Sequence, residues 1–260
     1  MRDILVTGGA GKLGAVVVAK LAAQGQRARI LTHSVAASPV AGAEVVVGDL
    51  ATGSGLAAAL AGIRVVIHAA SNSQQAQAVD VDGARHLLAA AQANGLQPHI
   101  INVSIVGVDR ATTPYYMAKA AADTLIRQSG LPWTTLRATQ FHGFIAGLLR
   151  SLGIDTQAEV ATPEGVRLQS IDMGEVAARL VTLAQGEPLR DIEEMGGPQV
   201  LTLEEMASAY LSVRGRSATV RPAPIHGSPW DGFRSDAILT PDHAVGIVTW
   251  EQYLRRTRVV

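Results

Sequence analysis

The chain has 260 residues with 22 basic and 22 acidic side chains, so it lacks the excess of positive charge that attracts nucleic acid or anionic membranes. It contains no cysteine, which excludes disulfides and thiolate metal sites, and its histidines are scattered without the spacing of metal ligands. The sequence shows no signal peptide and no apolar run long enough to span a membrane. We therefore expect a cytoplasmic protein, monomeric or homodimeric, that binds a small molecule and no metal, nucleic acid or membrane.

Residues 3–34 predict a strand, a glycine turn, a helix and a second strand, in the sequence DILVTGGAGKLGAVVVAKLAAQGQRARILTHS. Gly8 or Gly9 lets the chain turn sharply out of the strand, and Gly11 leaves backbone N–H groups open to a phosphate. Gly14 lets the helix pack closely on the sheet. The pyrophosphate of a dinucleotide is then expected at the positive end of the helix that begins near Lys12.

The spacing Thr7-Gly8-x-x-Gly11-x-x-Gly14 resembles that of short-chain dehydrogenases/reductases, particularly their extended and atypical branches. The resemblance implies an α/β fold with a Rossmann-type, doubly wound parallel sheet and a nicotinamide dinucleotide cofactor.

The second strand ends in Thr32-His33-Ser34, without the acidic residue that commonly binds the ribose 2′-hydroxyl of NAD. Lys12 and His33 could both face the 2′-phosphate of NADP, so NADP (NADPH) is predicted over NAD. The structural alternatives are a solvated residue at the helix start for Lys12 and a surface loop residue for His33.

Two further strands follow, each ending in residues expected near the cofactor. The strand AEVVVGDL ends in Asp49-Leu50, where the family's aspartate meets the adenine edge, although Asp49 could equally serve as a turn or cap residue. In IRVVIHAAS, the small Ala69 and Ala70 leave room for the cofactor. The next helix carries Asp80 where the resembled family usually has asparagine.

Tyr115 and Lys119 are the candidates for proton transfer. Pro114 suits the first position of a helix, which puts Tyr115 and Lys119 on one face at i and i+4. An ammonium nearby favours the phenolate and so makes the phenol a better proton donor. The pair matches the Y-x-x-x-K motif of short-chain dehydrogenases, in which the lysine also holds the nicotinamide ribose. Tyr116 is a rival phenol, and a solvated surface pair is the structural alternative.

The strand before this helix departs from the family's V-S-S pattern. In VSIVGV, Ile105 occupies the place of the second serine, which hydrogen-bonds the substrate oxygen, and Ser104 lies one residue early. Side chains alternate along a strand, so this shift changes the face on which the hydroxyl lies. Ser104 is retained as the third catalytic candidate.

The second half resembles the NmrA-like branch in its segment 138–144 and in a D-x-x-E-V-A stretch from Asp172 to Ala177. Residues 1–150 are predicted to form the dinucleotide-binding domain, and residues 151–260 a small substrate lobe with closing elements, interleaved with the first as one structural unit. Phe141, His142 and Phe144 are candidate substrate contacts beyond a strand's carboxyl end. The alternatives are a core plug and a structural histidine.

The predicted function is an NADPH-dependent reductase, or reverse dehydrogenase, that acts on a small carbonyl, quinone or imine with Tyr115 as proton donor. One alternative is a non-catalytic NADP(H)-sensing regulator of the NmrA type, and another is a nucleotide-sugar epimerase or dehydratase. The predicted cofactor residues are Thr7, Gly8, Gly9, Gly11, Lys12, Leu13, Gly14, His33, Asp49, Leu50, Ala69, Ala70 and Lys119.

Overall fold

The computed structural model describes residues 3–33, 43–110 and 113–257. Its strands are β1 (Ile4–Thr7), β2 (Ala28–Thr32), β3 (Ala43–Val47), β4 (Val65–His68), β5 (His99–Ile105), β6 (Trp133–Ala138), β7 (Glu159–Pro163), β8 (Arg167–Leu168), β9 (Ile192–Met195), β10 (Leu201–Thr202) and β11 (Thr219–Ala223).

The α-helices are α1 (Lys12–Ala23), α2 (Leu56–Leu60), α3 (Gly83–Ala93), α4 (Pro114–Gln128), α5 (His142–Ser151), α6 (Met173–Gln185), α7 (Leu203–Arg214), α8 (Trp230–Phe233) and α9 (Trp250–Thr257). A π-helical stretch, Gln77–Asp82, leads into α3, and two short 3-10 helices cover Asp236–Ile238 and Pro241–His243.

The main sheet is parallel, with seven strands in the order β3-β2-β1-β4-β5-β6-β9. This is the doubly wound Rossmann order extended by one strand, and it confirms the predicted fold class. The direction of winding reverses between β1 and β4, which is where such sheets bind ligands. At that point Thr7 pairs with His68, and His68 pairs with Asn102 of β5. The carboxyl ends of β1 and β4 therefore meet at one edge.

The core on the sheet is mainly aliphatic. The four residues of β1 and the four of β4 are all buried, as expected for strands that helices cover on both faces. One core cluster contains Leu5, Leu31, Leu87, Ile100 and Ile126 among others, with Trp133 as its aromatic member.

The chain divides into two compact units that alternate along the sequence. The first comprises residues 1–104, 114–137 and 176–193, and the second comprises 105–113, 138–175 and 194–260. The sequence placed the boundary between cofactor and substrate regions at residue 150, with the two regions interleaved.

The second unit contains two small sheets that the sequence did not predict. β7 pairs with β11 in parallel, and β8 pairs with β10 antiparallel. Thr202 begins α7 with a complete capping box to Glu205. Trp250 is 2% exposed and donates its indole N–H to the Met206 carbonyl at 2.9 Å, so it anchors α9.

Candidate active site

The glycine turn after β1 has no room for side chains. Gly8 has φ +68°, and a Cβ there would lie 2.7 Å from the Cα of Ala70. A Cβ on Gly14 would lie 2.1 Å from the carbonyl oxygen of Gly8. Gly11 donates its N–H to that carbonyl at 2.8 Å, which closes the turn. Glycine is therefore required here by packing, and a flat backbone surface remains at the start of α1.

The start of α1 suits an anion. Gly11 is the N-cap and supplies no side-chain hydrogen bond, and the first turn carries no acidic residue. The first N–H groups of a helix lack partners within the helix, and the helix dipole adds partial positive charge there. Together with the glycine turn, this end of α1 fits the pyrophosphate of a nicotinamide dinucleotide.

The other predicted cofactor residues occupy varied environments. Lys12 and His33 are exposed, whereas Leu13 and Leu50 are buried. Asp49 accepts the N–H of Ala51 at 2.8 Å, so its carboxylate also stabilises the turn after β3. Ser34 lies outside the described residues.

His68 ends β4 and is fully enclosed. It is 2% exposed, and its Nδ1 lies 2.8 Å from the hydroxyl oxygen of Thr7. Burial, helped by the positive charge of Lys119, lowers the pKa of His68 to about 4, against the opposing effect of Asp80. The imidazole is therefore neutral at neutral pH. The residues predicted from the sequence did not include this histidine, although a histidine that ends an apolar strand is a visible signal.

The Tyr115 hydroxyl belongs to a hydrogen-bonded chain at the same edge. Its oxygen lies 2.8 Å from the hydroxyl of Ser71, which follows β4. Ser71 donates to Asp80 Oδ1 at 2.6 Å, and the N–H of Asn72 donates to Asp80 Oδ2 at 3.1 Å. Tyr115 is half-buried and Ser71 is exposed, so the two hydroxyls at the outer end of the chain are accessible.

Lys119 lies one turn along α4 and is buried with its counter-ion. Its ammonium donates to the Val103 carbonyl at 2.8 Å and lies 3.4 Å from Asp80 Oδ1. The side chains of Lys119 and Asp80 are 5% and 0% exposed. The carboxylate of Asp80 therefore offsets the positive charge that the sequence assigned to activating the tyrosine. Tyr115 and Lys119 therefore both lie at the site, but they are connected through Asp80, whose contacts the sequence did not predict.

A second buried group fixes α4 on the sheet. Asn102 of β5 donates to Asp123 Oδ1 at 2.8 Å, and Arg137 of β6 lies 3.2 Å from Asp123 Oδ2. Asp123 lies one turn beyond Lys119 on the same helix. A buried carboxylate held by two strands restricts sliding of the helix, and so fixes the position of Tyr115.

Ser104 does not belong to the hydrogen-bonded chain of Tyr115, Ser71 and Asp80. It is 3% exposed, and within the described residues its hydroxyl has no hydrogen-bond partner. Ile105 ends β5 without a hydroxyl. The hydroxyl that contacts Tyr115 belongs instead to Ser71, a residue that sequence reasoning did not select.

The predicted substrate residues lie in the second unit. His142 is 1% exposed, with Nδ1 2.8 Å from the Ser170 hydroxyl and Nε2 3.0 Å from the Val248 carbonyl. Burial is the main cause that lowers the pKa of His142. Both ring nitrogens are thus satisfied, which favours the structural interpretation. Phe141 is the N-cap of α5, and Phe144 is 45% exposed.

Within the described ranges, no helix is both long and apolar enough to cross a membrane. The acidic and histidine side chains of the same ranges form no cluster suited to a metal ion.

A family model described as NAD(P)H-binding matches residues 8–184. The match spans more than half of the chain, from the glycine turn to α6. The chain therefore belongs to this NAD(P)H-binding family, which confirms the predicted membership of an NAD(P)-binding family.

Among curated proteins, the chain is similar to the photosystem II assembly factor Ycf39 of Trieres chinensis, with 27% identity over 235 residues. The alignment covers 86% of this chain and 72% of that protein.

Three solved structures share the fold at low sequence identity. The triphenylmethane reductase of Citrobacter sp. has a TM-score of 0.83 at 21% identity, and covers 98% of each chain. The NADPH complex of the Escherichia coli quinone oxidoreductase QOR2 has a TM-score of 0.80 at 17% identity, covering 98% of this chain and 99% of that one. The NAD complex of the Thermus thermophilus UDP-glucose 4-epimerase has a TM-score of 0.78 at 23% identity, covering 98% of this chain and 97% of that one.

Proposed function

We propose that this protein is an NADPH-dependent reductase, or the reverse dehydrogenase, that acts on a small carbonyl, quinone or imine. One observation carries the proposal. The accessible Tyr115 hydroxyl is hydrogen-bonded, through Ser71, to the buried pair of Asp80 and Lys119. A phenol in this position, in the same unit as the glycine turn, can exchange a proton with a substrate oxygen.

The cofactor would be held mainly by backbone. The turn at Gly8 and Gly11 and the start of α1 would bind the pyrophosphate, and the small Ala69 and Ala70 would allow close approach. Lys119 would hold the nicotinamide ribose, as the family resemblance implies. When bound, NADPH supplies the hydride.

The preference for NADP rests on the end of β2. His33 and Lys12 are exposed bases that could meet a 2′-phosphate. Neither Thr32 nor His33 offers a carboxylate that would repel that phosphate. The fold neighbours in complex with NADPH and with NAD give no preference by themselves.

Tyr115 would donate its proton to the substrate oxygen while hydride reaches the carbon. Positioned acids of this kind contribute roughly 10²- to 10⁴-fold to a rate. Phe141 and Phe144 stay candidate substrate contacts by their place in the sequence, and Phe144 is 45% exposed. Two proteins that share the fold, a quinone oxidoreductase and a triphenylmethane reductase, support a reductase that acts on quinones or similar acceptors.

A second candidate function is a non-catalytic NADP(H)-binding regulator or assembly factor. Two observations favour it: Ile105 stands where the family has its catalytic serine, and the curated relative is named an assembly factor. The accessible tyrosine and buried lysine favour the reductase.

The experiment measures NADPH oxidation against a panel of ketones, quinones and imines. Wild type is compared with Tyr115→Phe, and Tyr116→Phe is the matched control because Tyr116 is a buried neighbour on the same helix. We expect kcat/KM for the ketones to fall by about 10²-fold or more in Tyr115→Phe alone, with NADPH affinity retained. Equal ketone turnover in all three proteins would refute the role of Tyr115. Tight NADPH binding without turnover on any acceptor would favour the regulator.

A further inference from the structure

The directions of the hydrogen bonds at Asp80 show where the protons point. Ser71 and Asn72 donate to the two oxygens of Asp80, and the Lys119 ammonium lies 3.4 Å away. All three groups can donate, so they suit Asp80 as an ionised carboxylate, which only accepts hydrogen bonds. A serine hydroxyl has one proton, and in that state the proton of Ser71 is given to Asp80. With Asp80 ionised, the 2.8 Å hydrogen bond between the two hydroxyls is therefore donated by Tyr115 to Ser71.

In this state the phenol proton points along the chain toward Asp80, away from any substrate. A substrate oxygen would meet a lone pair of the Tyr115 oxygen. Tyr115 is then ready to accept a proton from a substrate. The donor and acceptor of both hydrogen bonds, from Tyr115 to Ser71 and from Ser71 to Asp80, must exchange before Tyr115 can donate a proton. The reversal needs a proton on Asp80.

We infer that Ser71 and Asp80 form the proton relay of this site, with Ser71 passing the proton between Tyr115 and Asp80, and Asp80 storing it. The inference rests on the proposed function and deepens it. Ser71 contacts the reacting phenol, whereas Asp80 acts through Ser71 and is a positioning and proton-storing residue.

The step balances in both directions. In reduction, the carbonyl carbon gains a hydride and its oxygen takes the Tyr115 proton. Tyr115 takes the proton of Ser71, and Ser71 takes the proton of Asp80, which becomes a carboxylate. In oxidation, the carbinol carbon gives its hydride to the oxidised dinucleotide and the alcohol proton passes to Tyr115. The two relay protons shift toward Asp80, which becomes neutral. Solvent protons reach Asp80 through the exposed Ser71.

The neighbours of Asp80 come from α4, from β4 and from the segment after β4. Lys119 of α4 faces it as a cation, and His68 of β4 lies close enough for their charges to interact. Tyr115 faces it through Ser71.

The experiment combines Ser71→Ala, the conservative Ser71→Thr, and Ser73→Ala as the control. Ser73 is an exposed serine two residues further along the same segment. Ser71→Ala breaks the relay but leaves Asp80 and Lys119 paired. We expect its kcat to fall on the order of 10- to 100-fold with the KM for NADPH unchanged, and its solvent deuterium isotope effect to change. Ser71→Thr should restore most of the activity.

A second readout needs neither cofactor nor turnover. Tyrosine labelled with ¹³C at Cζ reports the hydrogen bonding of the Tyr115 hydroxyl by NMR, and Tyr115→Phe assigns the signal. Ser71→Ala removes the hydroxyl that lies 2.8 Å from that of Tyr115, so the Tyr115 signal should move in this variant and stay unchanged in Ser73→Ala. An unchanged signal in Ser71→Ala would overturn the relay. Inactive wild type would count against the proposed function alone, because the NMR signal still tests the relay.

Discussion

Acidification is expected to destabilise this protein through His68. The side chain is buried as a neutral imidazole beside Thr7, with its pKa lowered from 6.5 to about 4. The unfolded chain has no such environment, so below pH 6.5 its His68 binds a proton that the folded protein does not bind. The contribution of neutral His68 to the free energy of unfolding is fully present above pH 6.5 and is lost as the pH falls through about 4.

The magnitude follows from the gap between the two pKa values, 6.5 and about 4. One pKa unit corresponds to about 1.4 kcal/mol, so the full loss is about 3 kcal/mol once the pH is below both values. At pH 5 the imidazole would be mostly charged only in the unfolded chain. The expected loss between pH 7.5 and pH 5 is then about 2 kcal/mol.

Urea unfolding at pH 7.5 and pH 5 measures this loss. We expect His68→Gln to lose about 2 kcal/mol less than wild type over that interval, because glutamine does not titrate. His243→Gln, at an exposed histidine, should behave like wild type. An equal loss in wild type and His68→Gln would refute the assignment of the acid sensitivity to His68.

Three further variants test the packing of the site and the fold. Gly14→Ala would put a methyl group against the carbonyl oxygen of Gly8, so NADPH affinity measured by calorimetry should fall on the order of tenfold or more. Gly147→Ala is the control and should leave the affinity unchanged, because a Cβ there meets nothing within 3.8 Å. Thr202→Ala removes the capping box of α7 and should cost about 1 kcal/mol in urea unfolding, without changing NADPH binding. Asp123→Ala removes the carboxylate beside buried Arg137 and should cost about 3 kcal/mol or more by the same assay. An unchanged NADPH affinity in Gly14→Ala, or an unchanged free energy of unfolding in Thr202→Ala or Asp123→Ala, would contradict the contact that the variant removes or disturbs.

The cofactor end of the site could be predicted because its signal is local. The glycines at 8, 11 and 14 follow one strand and begin one helix, so spacing alone reports the turn. The sheet order followed from the same regular alternation of strands and helices. The small strand pairs of the second unit could not be predicted, since β7 and β11 join segments about 60 residues apart.

The hydrogen-bonded chain of Tyr115, Ser71 and Asp80 could not be predicted from local sequence patterns. The contact between Tyr115 and Ser71 spans 44 residues, and that between Ser71 and Asp80 spans nine. The sequence showed Asp80 in place of an asparagine, but the spacing of Tyr115 and Lys119 carries no information on what lies opposite. Only the fold shows that a carboxylate offsets the ammonium.

Hydride transfer itself is tested most directly with NADPH carrying deuterium on one or the other face of nicotinamide C4. The labelled cofactor is incubated with the protein and the most reactive ketone of the panel, and the alcohol is analysed by mass spectrometry. A reductase that holds the nicotinamide in one orientation should transfer deuterium from one face only, into the carbinol carbon. Alcohol without deuterium from either face, or no alcohol despite tight NADPH binding, would contradict the proposed reductase.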